Sequence, residues 1–475
     1  MTIFELVFIP VPGLSHLVST VEAAKLLLAR DRRLSITVLI ITTSTTDQPT
    51  ATYLSSAGPT AGLRFTNLPS PDRPPSPDSG FFHFIESHAA GVREFLSGQI
   101  SNPPTPNSRP AGLIVDMFCT NFIDIASELG LPSYVFFTSG ACALGVFTHL
   151  AGLKFDQKID LTQFKDSSLE LPISCFSCPV PAKILPAAFL QPDPLSATFL
   201  TFFRRVSDSK GVMVNTFLEL EPFAIRALQS DSGLPKVYPV GPILNPAGSP
   251  EGREVVEWLD RQPEKSVVFL CFGTMGGFRR EQAAEIAAGL EASGARFLWS
   301  LRKPGPEINT PPVPTEYTDF REVLPEGFLE RTEKIGKVIG WAPQVAVLGH
   351  LAVGGFISHC GWNSVLESLW YGVPVAAFPQ YAEQQVNAFL LVRELGLAEA
   401  VRIDYSTDFR GERLPEIVAA PEIEAAVRRL MGGGGVVREK VKEMKMKSRE
   451  AMEKSGSAYE AQKSFIEDVI SNVGG

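Results

Sequence analysis

His16 follows a short apolar run, Leu6 to Ile9, that is closed by Pro10, Pro12 and Gly13. Asp116 closes a second run, Leu113 to Val115, whose apolar character extends to Phe118. If both runs are parallel strands of one sheet, the two side chains share its carboxyl rim, where ligands of open α/β sheets bind. An imidazole there can take a proton from a hydroxyl near neutral pH. A carboxylate beside it can fix the tautomer and support the imidazolium that forms. A lone histidine at a helix start often serves structure alone, and it is the carboxylate partner that favours chemistry.

A second group of residues lies in the 44 positions 341–384, WAPQVAVLGHLAVGGFISHCGWNSVLESLWYGVPVAAFPQYAEQ. Phe356-Ile357-Ser358 reads as the end of a strand, His359-Cys360-Gly361 as a turn, and Trp362-Asn363-Ser364 as the opening of a helix. Free backbone N–H groups, a helix dipole and nearby polar side chains then converge at a strand's carboxyl end, which suits a phosphate. His359 adds a donor at the turn. Glu367 lies one helical turn beyond Ser364, about 4.5 Å along the axis, where a carboxylate can accept two hydrogen bonds from a ribose diol. Ser364 and Glu367 equally fit an S-x-x-E capping box. Trp341, between Gly340 and Pro343, is either a core tryptophan or an indole that stacks on a base. Glu383 and Gln384 follow a strand ending at Pro379, and their polar ends suit paired sugar hydroxyls. Gln384 can donate and accept, so it is expected to span two equatorial hydroxyls, with ionised Glu383 accepting beside it.

These residues require two sheets to hold them. Helical spacing at Leu17, Val18, Val21, Ala24, Leu27 and Leu28 follows the first run. Strands are expected at Ser35–Thr43, Leu113–Phe118, Tyr134–Phe137 and Val212–Val214, with a helix from about Asn121 to Leu129. Pro-rich loops occupy 69–78 and 103–110. Residues 241–252, rich in Gly and Pro, read as a linker. The alternation then restarts, with strands at Ser266–Phe272, Arg296–Leu301, 353–358 and 373–378 and helices at Arg279–Leu290, 362–371 and 384–395. Two βα-repeating halves predict an α/β chain of two doubly wound sheets facing across a cleft. An amphipathic helix is expected from about Glu439 to Val473.

Bulk properties narrow the classes. The 475 residues exceed one ordinary core. The net charge of −9 argues against a nucleic-acid partner. Six cysteines, with a single C-x-x-C at Cys175 and Cys178, supply neither a disulfide framework nor a zinc site. Without a basic leader or a long apolar run, the chain is expected to be cytoplasmic, with no integral membrane segment.

The stretch 341–384 resembles the 44-residue signature of the plant secondary-product, or family 1, UDP-glycosyltransferases. The match runs through W-A-P-Q, H-C-G-W-N-S, the Glu, G-V-P and the closing acidic-Gln pair. Phe272-Gly273-Thr274-Met275-Gly276 matches a further family loop, and the coarse pattern covers nearly the whole chain. The resemblance implies the GT-B fold: residues 1–243 form an acceptor-binding Rossmann-like domain, 244–252 a linker, and 253–455 a UDP-sugar-binding domain. Residues 456–475 would form a helix that packs back on the first domain. It also implies donor-site roles. Trp341 stacks on uracil, and Ala342 and Gln344 hold base and ribose. Glu367 takes the ribose diol. His359, Asn363, Ser364 and Thr274 hold the diphosphate, while Trp362, Glu383 and Gln384 meet the sugar. The family more often has Asp at the position of Glu383, and Gln at the closing position is typical of glucose users.

Family members carry a catalytic His after strand one, usually in G-H-x-x-P, and an Asp after a later strand. Here the text is Gly13-Leu14-Ser15-His16-Leu17-Val18-Ser19, so the Gly and Pro positions differ while the His remains. By resemblance Thr138 bonds the donor sugar; it equally suits a helix N-cap. Pro12, Phe81, Phe82, His83, Phe118, Cys119 and Phe189 are expected near the acceptor. The implied reaction is an inverting transfer of glucose from UDP-glucose to a hydroxyl of a small lipophilic acceptor, a flavonoid, other phenolic or terpenoid. His16 is the base and Asp116 its support, in a monomer that requires no cofactor or metal. A nicotinamide oxidoreductase would need G-x-G-x-x-G after strand one, which residues 10–16 lack. A serine hydrolase would need G-x-S-x-G, and a binding protein without turnover would dispense with His16 or Asp116.

Overall fold

The computed structural model describes residues 1–42, 47–69, 71, 80–245, 252–304, 315–406, 415–432 and 435–473. Most of the loop expected at 69–78 and half of the linker at 241–252 lie outside them.

The first half builds a sheet from β1 (Ile3–Ile9), β2 (Leu34–Ile40), β3 (Leu63–Asn67), β4 (Ser108–Asp116), β5 (Ser133–Phe137), β8 (Gly211–Val214) and β9 (Lys236–Pro239). The intervening β6 (Glu170–Leu171) and β7 (Val180–Pro181) form a separate antiparallel hairpin. The second half contributes β10 (Val267–Cys271), β11 (Arg296–Ser300), β12 (Gly336–Ile339), β13 (Val353–Ser358), β14 (Val375–Ala377) and β15 (Ala398–Ala400). The strand orders are β3-β2-β1-β4-β5-β8-β9 and β12-β11-β10-β13-β14-β15. All pairings in both sheets are parallel. Two Rossmann-like sheets, the GT-B arrangement, are therefore present.

Parallel strands are covered by helices on both faces, so central ones become continuous apolar runs. β2 and β10 are buried along their whole length, as are β5 and β13. Each sheet reverses its direction of growth once, between β1 and β4 in the first and between β10 and β13 in the second. At these points the connecting helices leave to opposite sides and a crevice opens beyond the strand ends. Register makes the placement specific: Ile9 lies beside Val115, and Cys271 beside Ser358. The residues that follow each pair line the two crevices.

The amphipathic helix expected over 439–473 is instead two helices, Val436–Met452 and Ser457–Ser471. Ser455 turns the chain with φ 72°, and Gly456 sits so close to the Glu450 and Ala451 carbonyls that a β-carbon would not fit. The earlier helix lies on the second half, with Lys445 donating to the Tyr371 carbonyl. The later one crosses to the first half. Asp468 accepts from Lys236 and from the Tyr238 hydroxyl, at 2.7 and 2.6 Å, and Gln462 donates to the Val240 carbonyl. The helix expected at 384–395 ends as an α-helix at Phe389 and continues as a π-helical turn, Leu390–Glu394.

Candidate active site

The helix Leu14–Arg30 starts beyond the end of β1, with Gly13 as its N-cap, and places His16 in its first turn. Asp116 is the last residue of β4. Adjacent at the crevice, the two meet: His16 Nδ1 lies 2.7 Å from Asp116 Oδ2. The other carboxylate oxygen, Oδ1, accepts from the Phe118 backbone N–H at 3.0 Å. That bond fixes the carboxylate plane. Since an ionised carboxylate only accepts, Nδ1 carries the proton and Nε2 keeps its lone pair. Thr138, just beyond β5, has its hydroxyl 3.4 Å from the same Nδ1. It is not a helix cap, because Gly140 occupies that position for the helix Ala141–Phe155. Burial pulls the His16 pKa down, but the charge and hydrogen bond of Asp116, with a contribution from Glu383, leave it raised above 6.5.

Glu383 belongs to the other half of the chain, at the N-cap of the helix Gln384–Phe389. Burial raises its own pKa, and the charge of His16 opposes that. The electrostatic coupling brings the closing acidic residue of the 44-residue stretch to the base. Ala382 before it has φ 56°, in the left-handed region.

Gln384 differs from expectation. Its Oε1 accepts from the Gln380 and Tyr381 backbone N–H groups, at 2.9 and 3.1 Å. The side chain is 3% exposed. Its oxygen is thus committed to the turn, and its amide N–H groups, which also bond the Tyr381 side chain, are what it has left to donate. Gln384 can donate to a hydroxyl but does not both donate and accept.

In the second crevice the helix Trp362–Tyr371 has Gly361 as its N-cap. Ser364 is therefore the third helical residue, and the Ser364–Glu367 capping box does not form. Both side chains instead receive one donor. Gln344 Nε2 lies 2.8 Å from Ser364 Oγ and 2.7 Å from Glu367 Oε2. Burial pushes the Glu367 carboxyl up to about 7, against the pull of the Gln344 hydrogen bond. Trp341 is 42% exposed, which excludes a core role, and the Arg302 guanidinium lies 5.4 Å from the centre of its ring. Ala342 is buried beside it, and Thr274 stands exposed on the loop after β10.

His359 is packed between Gly273 and Gly361, where any β-carbon would collide with its Nε2. Burial lowers its pKa to about 4, so the ring is neutral. Its Nδ1 and the Asn363 Oδ1 are buried atoms without a hydrogen-bond partner. Such orphans are expensive in a finished interior, and here they stand where the helix terminus invites an anion. Cys360 holds the turn in a left-handed conformation, φ 61°. Asn387 donates to its carbonyl and Ser358 Oγ accepts from its N–H, which offsets the strain.

The Trp362 indole is directed into the first half of the chain. It is buried, donates from Nε1 to the Asn215 carbonyl at 2.6 Å, and lies against Gly140. A β-carbon on Gly140 would stand 2.7 Å from the ring. The first residue of this helix is thereby inserted into the first half of the molecule.

The residues expected around the acceptor divide. Phe118 is 5.9 Å from the His16 ring, and Phe82 is 5.9 Å from Phe118. Phe199 and Phe202 complete this apolar wall, each 4.9 Å from Phe82. Pro12 is half-buried after β1. Phe81 is exposed, and His83 faces Glu86 at 3.8 Å. Phe189 is buried against Phe147 at 5.0 Å, behind the wall. Cys119 is fully buried in the core, where burial holds its thiol well above the ordinary range. Phe199 and Phe202 carried no sequence signal, because their helix, Pro194–Arg204, is apolar on a face that only tertiary packing turns toward His16.

Comparison with known proteins agrees with this geometry. Residues 227–408 match the family described as UDP-glucoronosyl and UDP-glucosyl transferase. A UDP-glucose flavonoid 3-O-glucosyltransferase of Fragaria ananassa is 48% identical, with 98% of each chain covered. UDP-glycosyltransferase 71E1 of Stevia rebaudiana is 48% identical over the full length of both. Among solved structures, a UGT transferase from Siraitia grosvenorii in complex with UDP superposes with a TM-score of 0.88 at 42% identity, covering 98% of this chain and 100% of that one. UGT71G1 of Medicago truncatula, complexed with UDP-glucose, gives 0.83 at 38% identity with 98% of each chain covered.

The crevices, the fold and these relatives define a sugar-nucleotide-dependent glycosyltransferase of GT-B architecture. The chain belongs to the plant secondary-product, family 1, UDP-glycosyltransferases. Among the described residues no group of three or more His, Cys, Asp or Glu is arranged to hold a metal ion, and no helix is long and apolar enough to cross a membrane.

Proposed function

We propose that the enzyme is an inverting glucosyltransferase whose acceptor is a small lipophilic alcohol or phenol, with His16 as general base and Asp116 as its orienting partner. The observation that carries this reading is the 2.7 Å His16–Asp116 pair at the crevice, with Glu383 of the opposite half electrostatically coupled to the same ring. His16 Nε2 takes the acceptor's hydroxyl proton. The acceptor oxygen forms a bond to the anomeric carbon while the bond from that carbon to the diphosphate breaks. The electron pair leaves with UDP, and attack from the opposite face inverts the anomeric centre. Positive charge builds on the sugar in the transition state, as in glycoside hydrolysis. The N-terminus of the helix Trp362–Tyr371, with neutral His359, Asn363 and Ser364, would receive the departing charge.

On this reading Trp341 stacks on uracil, and Ala342 and Gln344 complete the base and ribose contacts. Glu367 takes the ribose diol, and Thr274 faces the diphosphate. Glu383 accepts from, and Gln384 donates to, the glucose hydroxyls, and Thr138 lies beside the sugar. The aromatic wall of Phe82, Phe118, Phe199 and Phe202 favours flat apolar acceptors, which is consistent with the flavonoid named for the Fragaria relative. Incubation with UDP-glucose and a panel of flavonoids, simple phenols and triterpenoids, with products identified by mass, tests the assignment. NMR of the product must show a β-linkage; an α-linkage would exclude direct displacement.

A further inference from the structure

The departure from G-H-x-x-P at Ser19 acquires a consequence in the fold. Ser19 lies one helical turn beyond His16 and is 4% exposed. Its hydroxyl donates to the Ser15 carbonyl at 3.0 Å. With its single proton committed there, Oγ can only accept from other groups. Across the cleft, Asn363 Nδ2 approaches it at 3.3 Å. Asn363 is the second residue of the helix Trp362–Tyr371, and its Oδ1 is buried without a partner. Both residues line a small cleft of about 30 Å³ together with Glu22, Ile243, Asn245 and Glu367.

An asparagine amide has one accepting end and one donating end, and a diphosphate only accepts. Which end Asn363 offers therefore decides whether it attracts or repels the nucleotide. Ser19 selects the donating end, because its own proton is used up. One N–H of Asn363 goes to Ser19, and turning the amide over would either set two oxygens against each other or cost the Ser19–Ser15 hydrogen bond. A proline at position 19 has no group that could do this.

We propose that Ser19 is a positioning residue, which fixes the amide of Asn363 so that it donates to the diphosphate, and which does so from the helix that carries the base. This rests on the reading of the second crevice as the UDP-sugar site. It adds a contribution of the acceptor half to nucleotide binding.

The test is a double-mutant cycle in the full chain, read first by calorimetric titration with UDP and then by kcat/KM for UDP-glucose. Ser19→Ala should weaken UDP by about threefold to tenfold, the loss of one ordinary hydrogen bond, and lower kcat/KM by a similar factor. Ser19→Thr keeps the hydroxyl and should retain both values. In an Asn363→Ala background, Ser19→Ala should have no further effect. Unchanged UDP affinity in Ser19→Ala, or the same loss with and without the Asn363 amide, overturns the proposal; the latter would mean a merely structural role. All variants keep His16 and Asp116, and titration needs no turnover. UDP binding without glucosyl transfer would therefore sink the catalytic reading and leave this cycle intact. Failure of the unmodified chain to bind UDP would sink both.

Discussion

His16 and Glu367 are each tuned by an environment that makes its titration visible. His16 acts as a base only when neutral, and its pKa is raised above 6.5 by Asp116 and Glu383 against the effect of burial. Turnover should therefore fall as pH drops through that raised value. The stability contributed by the His16–Asp116 pair runs the other way. It is complete below the ordinary imidazole pKa and is lost as pH rises through the folded one. His16→Ala should cut turnover by about 10²-fold or more while leaving the UDP dissociation constant nearly unchanged; near-normal rates would remove His16 from the mechanism. Glu367, held near 7 by burial, should be ionised when a ribose diol donates to it. UDP should then bind more weakly below pH 7, by up to about tenfold per pH unit. Glu367→Gln should abolish that dependence, and a flat profile in the unmodified enzyme would contradict the assignment. The committed Oε1 of Gln384 changes the expected sugar selectivity in detail but not in sign. On the proposed reading, a donor from Gln384 and an acceptor from Glu383 would still match adjacent equatorial hydroxyls. UDP-glucose should be preferred over UDP-galactose by about tenfold or more in kcat/KM, and equal use in competition would disprove the pairing.

The helix Trp362–Tyr371 joins two jobs that a helix start rarely combines. Its terminus faces the crevice proposed for the diphosphate, and its first side chain is buried in the other half of the molecule. The Trp362 indole is the donor seen by the Asn215 carbonyl, and Asn215 is fully buried. Trp362→Phe keeps one aromatic ring but removes the pyrrole part of the indole, so that carbonyl loses its N–H donor and a small void is left. The expected cost is about 1–3 kcal/mol, read as a lower melting temperature and a lower kcat. Melting unchanged from the parent would mean that the bond contributes nothing. No metal enters this arrangement of helix terminus and neutral donors as proposed, so transfer should survive exhaustive chelation. An absolute need for added divalent ion would contradict the site.

At the scale of the whole chain, the segment Ser457–Ser471 closes the molecule by returning to the sheet where the chain began. Phe465, Ile466 and Val469 are buried there, with Phe465 in edge-to-face contact with Tyr134 and Tyr238, both at 5.2 Å. Burial of such side chains is worth about 1.5–3 kcal/mol each, together comparable with the net stability of a typical domain. Deletion of residues 456–475 should therefore yield a chain that aggregates or melts far below the parent, as followed by circular dichroism. A truncated chain with parental melting would show that the returning helix is dispensable.

Local patterns in the sequence determined the central strands, the helices after β1, β4, β10, β13 and β14 and the turn His359–Gly361, because a strand buried on both faces must be apolar along its length. The nine central strands of the two sheets were legible on that ground. The four edges, β3, β9, β12 and β15, were not. Each has a neighbouring strand on one side only, and residues such as Arg64, Lys236, Lys337 and Glu399 interrupt their apolar runs. The His16–Asp116 pair and the 341–384 stretch were likewise readable, since the spacing puts each at the carboxyl end of a strand. Tertiary structure alone decided what each polar group is already bonded to. Gln344 bridges Ser364 and Glu367, the Gln384 oxygen is spent on its own turn, Trp362 reaches Asn215, and Ser19 meets Asn363. Spacing along the chain can bring a side chain to a crevice. Its remaining donors and acceptors depend on partners as far as 344 residues away, and only the packing of two separately built sheets brings those partners within hydrogen-bond distance.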